Sequence, residues 1–351
     1  MRRVFVVVAL LSLLSLTACG VAAQSRPSKA DSPYRKAADY SSETRGLSLI
    51  VYKDGKVVFE EYHNGHSTNA PHLLASGTKS FVGVLLAAAI EDGLIKSFDE
   101  RVSETLTEWR SDPRKNRITY RELLTLTGGL ESGPIGRPPS YSEAAGFGSK
   151  FDPGTTFEYG PVPFQVFGEA LRRKLEPKKE SVMGYMERRI FDPIGLKYAR
   201  WTMQAGQPNL PSGAYLTAGE WLKFGRLLLD GGKWNGKQII KKSLLEELTK
   251  GSMANPNYGI TFWLNRSGES NANVAENRGR LGRLLGDREA NTTAISKRGF
   301  GDDLPRDIYV AAGAGNQRLY IIPSEKMVVV RQARQGRFDD GEFLRLLLGK
   351  K

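Results

Sequence analysis

Two residues in Ser76-Gly77-Thr78-Lys79 have the types and the spacing for covalent chemistry. A serine hydroxyl is a weak nucleophile until a base takes its proton. A lysine three positions on lies over the same face of a helix and can reach that hydroxyl. If the helix is buried, desolvation lowers the amine's pKa and fits it for the role of base. A Ser-x-x-Lys spacing alone carries little, because a serine N-cap followed by a lysine whose stem covers apolar surface reads the same way. The context carries more. Phe81, Val82, Val84, Leu85, Leu86, Ala88, Ala89 and Ile90 leave little polar face, and Gly93 follows. This pattern predicts a buried helix over Ser76 to Asp92, with Ser76 as its N-cap and Gly93 as its terminator. At such a place unpaired N–H groups and the positive helix end favour developing negative charge.

Other chemistries find less support. The chain has three histidines, His63, His66 and His72. A Ser-His-Asp triad would need one of them, and no Gly-x-Ser-x-Gly elbow or phosphate-binding glycine loop appears. His63-Asn-Gly-His66 is spaced like a metal pair but has no Cys or further His nearby, so exposed turn histidines are expected. Neither a metal nor a cofactor is called for. The tryptophans Trp109, Trp201, Trp221, Trp234 and Trp263 read as core or loop packing.

The elements that must position Ser76 begin with a hairpin. Leu47 to Tyr52 and Lys56 to Tyr62 are β-branched, apolar-rich runs joined through Asp54-Gly55, a strong hairpin signal. From Phe98 to Lys250 the pattern is mostly helical, with the clearest helices at Leu216 to Leu229 and Lys242 to Thr249, while 128–163 reads as loop. Strand composition returns at Tyr258 to Asn265, Ile308 to Ala312, Arg318 to Ile322 and Met327 to Gln332, before a closing amphipathic helix from Phe338 to Leu348. The structure of 266–307 stays open. Strands at both ends with helices between predict an α/β (α+β) fold, one antiparallel sheet built from both termini and flanked by helices. A helical subdomain is inserted at about 98–250, within a domain covering 46–350.

The start of the chain reads as an export signal. Arg2 and Arg3 precede an apolar run from Val4 to Leu14, and Leu16-Thr17-Ala18-Cys19 supplies small residues before the chain's one cysteine. The run is too short for a comfortable membrane span. Leu-Thr-Ala-Cys is similar to a bacterial lipobox, which implies cleavage after residue 18 and lipidation of Cys19. Residues 19–45 are then expected to be a tether. The place of action would be the cell envelope, lipid-anchored and outside the cytoplasm. A lone cysteine excludes an intrachain disulfide. The formal charge of +13 comes from scattered basic residues with acidic neighbours, and with export it argues against a nucleic-acid partner. Oligomeric state is not legible.

Several further stretches, in order, resemble class C β-lactamases, penicillin-binding proteins and related esterases. They are Glu91-Asp-Gly-Leu-Ile-Lys-Ser-Phe-Asp99, Ile118-Thr-Tyr-Arg-Glu-Leu-Leu-Thr-Leu-Thr-Gly-Gly-Leu130, Pro153-Gly-Thr-Thr-Phe-Glu-Tyr159, Phe191-Asp-Pro-Ile-Gly-Leu196, Tyr215-Leu-Thr-Ala218 and Leu222-Lys-Phe-Gly225. The resemblance runs from about Leu47 to Arg331 and implies an acyl-enzyme hydrolase with a small-molecule substrate. It implies Ser76 as the acylated nucleophile and Lys79 as its partner. It also implies that Tyr159 is the proton-relaying tyrosine of a Tyr-x-Asn motif, its phenol acidified by the nearby Lys79. Gly313 to Gln317 aligns with the family's third motif, so the oxyanion hole would be the backbone N–H groups of Ser76 and Ala314.

Two positions depart from the family pattern. Pro161 stands where the asparagine of Tyr-x-Asn is usual, and Ala311 stands where the third motif normally offers Lys or His to hold a substrate carboxylate. An ester or a non-carboxylate amide is therefore the expected substrate. The alternatives are a catalytically silent envelope lipoprotein on this fold, or a cell-wall D,D-peptidase or β-lactamase.

Overall fold

In the computed structural model, residues 32–266 and 299–350 are described. Cys19, the expected export signal and most of the expected tether lie outside them. The central sheet has six strands: β1 (Gly46–Lys53), β2 (Lys56–Tyr62), β3 (Trp263–Leu264), β4 (Tyr309–Gly313), β5 (Gln317–Ile322) and β6 (Met327–Ala333). Their spatial order is β3-β4-β5-β6-β1-β2, with every neighbouring pair antiparallel. The sheet is thus closed in its middle by the pairing of an N-terminal strand with a C-terminal one. Asp54 and Gly55 both have positive φ, the backbone that a two-residue hairpin turn requires.

Residues directly opposite on paired strands share a face, and the two faces have different coverings. Helix α1 (Pro33–Glu43) packs against the last helix, α5 (Asp340–Leu347), on one face. Between α1 and α5 in the chain come α2 (Lys79–Glu91), α3 (Val162–Leu175) and α4 (Ala218–Leu229). Helix α4 lies on β5, β6 and β1, so close that a Cβ on Gly225 would reach 2.8 Å from Leu319 Cδ1. Helix α2 is buried from Lys79 to Ala89, as its near-continuous apolar sequence requires.

The buried face under α1 and α5 contains two arginines opposite each other, Arg318 on β5 and Arg331 on β6. Arg331 caps the end of α1, donating to Ser41 O at 3.3 Å, Ser41 Oγ at 2.9 Å and Thr44 O at 3.0 Å. A cation is favoured at that negative helix pole. Burial still pulls its pKa down, to about 10.

Several boundaries differ from the sequence reading. Residues 33–43 of the expected tether are helix α1, an integral part of the fold, capped by Ser32 and entered through Pro33. Leu216 belongs to a short strand, Ala214–Leu216; Thr217 caps α4, whose first turn begins only at Ala218. Tyr258 to Asn265 is not one strand. Thr261 at φ 72° turns the chain, leaving only Trp263–Leu264 in the sheet. The helix at Lys242 ends at Glu247. The expected 128–163 loop holds a short helix, Tyr141–Ala145, opened by a Ser140–Glu143 capping box, and gives way to α3 already at Val162. Of 266–307, the described residues 299–307 are held by Asn265, whose Oδ1 accepts from Phe300 N at 2.8 Å.

Candidate active site

Ser76 does not cap α2. It lies in a 3₁₀ turn, Ala75–Thr78, that enters the helix, and Thr78 occupies the N-cap position without a side-chain cap. Ala75, at φ 47°, makes the sharp entry, a left-handed conformation that costs an alanine about 1 kcal/mol. Two close contacts hold the turn. A Cβ on Gly77 would come within 2.9 Å of the Trp221 ring. A Cβ on Gly313, the last residue of β4, would collide with the Leu74 carbonyl and approach Gly77 N to 2.9 Å. Strand β4 therefore ends against the turn that carries Ser76, and exposed Ala314 follows immediately. The chain from 209 to 214 closes the other side: Leu74 N donates to Ala214 O at 2.9 Å, and Ala214 N to Thr78 Oγ1 at 3.2 Å.

Lys79 Nζ lies 3.0 Å from Ser76 Oγ and 3.0 Å from the Pro211 carbonyl. It sits 5.1 Å from the centroids of the Tyr159 and Phe164 rings. Among the described residues no carboxylate pairs with it. Desolvation alone pulls its pKa from the usual 10.5 down to about 7. A large fraction of Lys79 is thus an uncharged amine at neutral pH, able to accept a proton from the hydroxyl beside it.

Tyr159 stacks on Trp263 at 5.7 Å and meets Tyr258 edge-on at 6.3 Å. Burial pushes its phenol up to about 12; a hydrogen bond with the Ser76 hydroxyl and the charge of Arg318 act in the opposite direction. The phenol is therefore protonated at neutral pH and able to donate. The expected acidification by Lys79 is absent, because an amine neutralised by burial carries little charge to exert it. The three side chains named from the sequence nevertheless converge.

Pro161 is buried and starts α3. Its ring offers Lys79 no hydrogen-bonding side chain; the Lys79 amine donates instead to the Pro211 carbonyl. Ala311 is buried in β4 opposite Leu319, so no cation projects from that position. His63 and His66 are half-buried rather than exposed: His63 lies 3.4 Å from Glu61, and the His66 ring is 6.0 Å from that of His72. Among the described residues no group of three or more His, Cys, Asp or Glu could hold a metal. Trp109, Trp201, Trp221 and Trp263 are core residues, and Trp234 packs against the core. Sequence reasoning missed Pro211, Phe164 and Arg318. A backbone carbonyl leaves no sequence mark, but an arginine inside the strand pattern Arg-Leu-Tyr-Ile-Ile was a readable sign of a buried charge.

A family model described as Beta-lactamase matches residues 34–345. An uncharacterised protein of Alkalihalophilus pseudofirmus is 23% identical over 313 residues, covering 82% of this chain and 83% of its own. Among solved structures, a candidate 6-aminohexanoate-dimer hydrolase from Bacillus anthracis superposes with a TM-score of 0.66 at 18% identity, over 89% of this chain and 80% of that one. A candidate β-lactamase from Bacteroides dorei does so with a TM-score of 0.66 at 17% identity, over 90% and 96%.

Proposed function

The chain belongs to the β-lactamase family of hydrolases, and from that premise we propose that it hydrolyses esters or amides lacking a recognition carboxylate, through an acyl-enzyme on Ser76. The observation that carries the proposal is the 3.0 Å contact between Ser76 Oγ and a Lys79 amine with a pKa of about 7. In this reading Lys79 takes the hydroxyl proton as Ser76 Oγ forms a bond to the substrate carbonyl carbon. The carbonyl oxygen becomes an oxyanion received by the N–H groups of Ser76 and Ala314. Tyr159 gives its proton to the leaving oxygen or nitrogen as that bond breaks, and Lys79 returns one to the phenol. Water then attacks the acyl carbon, gives its proton to the same pair, and Ser76 leaves with a proton restored.

Ala311 and Pro161 support the substrate preference, since neither can hold a carboxylate or an amide as the usual residues would. Ser76→Ala should abolish hydrolysis of short-chain nitrophenyl esters, and a fluorophosphonate should add to Ser76 of the parent protein. Undiminished turnover in the folded mutant would remove Ser76 from its role. Nitrocefin should be a poor substrate, and efficient cleavage would overturn the carboxylate argument. We place the enzyme at the envelope through Cys19; Cys19→Ala should release it from membranes into the soluble fraction.

A further inference from the structure

Burial pushes the Tyr159 phenol up to about 12 with the Arg318 charge already acting against that rise; without a cation the phenol would be a still poorer acid for an alcohol or amine leaving group. A neutral Lys79 does little to change that, and Ala311 supplies no cation. Yet the buried face of β5 carries a permanent one. Arg318 is locked by Asp340 in a two-point pair, Nε to Oδ1 at 2.6 Å and Nη2 to Oδ2 at 2.9 Å. Its remaining nitrogen, Nη1, donates to the Gly313 carbonyl at 3.2 Å and to the Gln317 carbonyl at 3.0 Å. Those two carbonyls bracket residues 314–316, the turn that begins with Ala314 beside the nucleophile.

We infer that Arg318 is the positioning cation of this site, fixing the 314–316 turn from behind β4 and giving the Tyr159 region the positive charge absent at Ala311. Its side chain stands on the face shared with Ala312, its cross-strand partner, and therefore on the opposite face from Ala311. Buried and held by Asp340, it cannot grip a substrate carboxylate. Two duties that one projecting cation could perform are thus separated here: the electrostatic one is retained and the gripping one lost. Arg318 acts through Tyr159 and the turn, without touching substrate.

The charged and titratable groups around the pair are few. Tyr159 faces Lys79 from α2, Tyr258 from the loop before β3, and the Arg318 charge from β5. Arg318 faces Asp340 on α5, Tyr320 on its own strand and Arg331 on β6. Of these, Arg318 is the group whose charge favours ionisation of the phenol, and the influence is reciprocal, Tyr159 raising Arg318.

The inference rests on the proposed acyl-Ser76 chemistry, and leaving groups separate the two. A nitrophenolate departs without a proton, whereas an alkoxide needs one from Tyr159. Arg318→Gln should therefore slow hydrolysis of an alkyl ester about tenfold more than that of the nitrophenyl ester of the same acid. It should also move the alkaline limb of the alkyl-ester pH profile upward. Arg318→Lys, which keeps the charge, should restore most of the difference. Because Arg318→Gln strands Asp340, the neutral pair Arg318→Gln with Asp340→Asn is measured beside it, and it should show the same selective loss in a folded protein. Equal loss on both esters would overturn the electrostatic role and leave Arg318 only the positioning of the turn; no loss in the folded double variant would overturn both. If the parent protein cleaves neither ester, the acyl-Ser76 reading itself fails and this inference falls with it.

Discussion

Lys79 and Arg318 are both buried cationic side chains, and their surroundings send them to opposite states. Lys79 has rings, a hydroxyl and a carbonyl around it, and no carboxylate among the described residues, so desolvation brings its pKa to about 7. Arg318 has Asp340 in bidentate contact and its pKa is raised despite burial. Removing an ion from water costs several kcal/mol, and only a well-aligned counter-charge offsets it. The chain therefore holds a switchable nitrogen and a fixed charge, each following one of the two turns, 75–78 and 314–316, that meet at the site. What distinguishes a titratable amine from a fixed cation here is the partner, more than the depth.

The comparison can be broken in three places. The largest effect is expected at Lys79→Met, which should lower ester hydrolysis about 10⁴-fold, the scale for losing a group that activates the nucleophile. Retention of more than a tenth of the activity would show that another base serves Ser76. Next comes Asp340→Ala, which strands Arg318 and should destabilise the fold by about 3–5 kcal/mol, read as a fall in the denaturation midpoint. A change within experimental error would mean the pair is not the anchor described. The smallest effect sharpens the contrast through pH. Lys79 has a folded pKa near 7, below its ordinary 10.5, so between those values the unfolded chain binds a proton that the native protein does not. Stability from this group accordingly rises with pH across that window, and its full penalty is present below about pH 7. Lys79→Met should remove that slope. Relative to the mutant, the parent should gain about 2 kcal/mol between pH 7 and pH 9. A parallel pair of stability curves would show that Lys79 keeps its charge when folded.

The same contrast explains what could be read from the sequence. The hairpin at Asp54-Gly55, the β-branched runs of β1 and β6 and the all-apolar body of α2 are local signals, and each element formed where its composition placed it. Ser76 and Lys79 are equally local, three residues apart on one turn. Tyr159 and Ala314 were reachable only through ordered motifs, because nothing in their own neighbourhoods tells which distant residue they meet. The state of Lys79 was half legible: burial followed from the helix pattern, but that no carboxylate among the described residues reaches it is a property of α3 and the 209–214 chain together. Arg318 and Asp340 are separated by a strand and a turn, with no periodicity to link them, so their pairing emerged only in three dimensions. The N-cap assignment of Ser76 failed for a backbone reason. Ala75 adopts a left-handed φ that alanine seldom takes, and the extra 3₁₀ turn it creates has no compositional mark.

The contact of Gly313 with Leu74 and Gly77 has a kinetic consequence. The two sides of the proposed oxyanion pocket come from positions more than two hundred residues apart, and they meet only when the last strands have zipped onto the first. Closing so long a loop is entropically slow. A growing or refolding polypeptide would hold Ser76 and Lys79 close in sequence, on the turn and first residue of one helix, well before it could stabilise a tetrahedral intermediate. Catalytic competence would then arrive late, as a report that the ends of the chain have found each other.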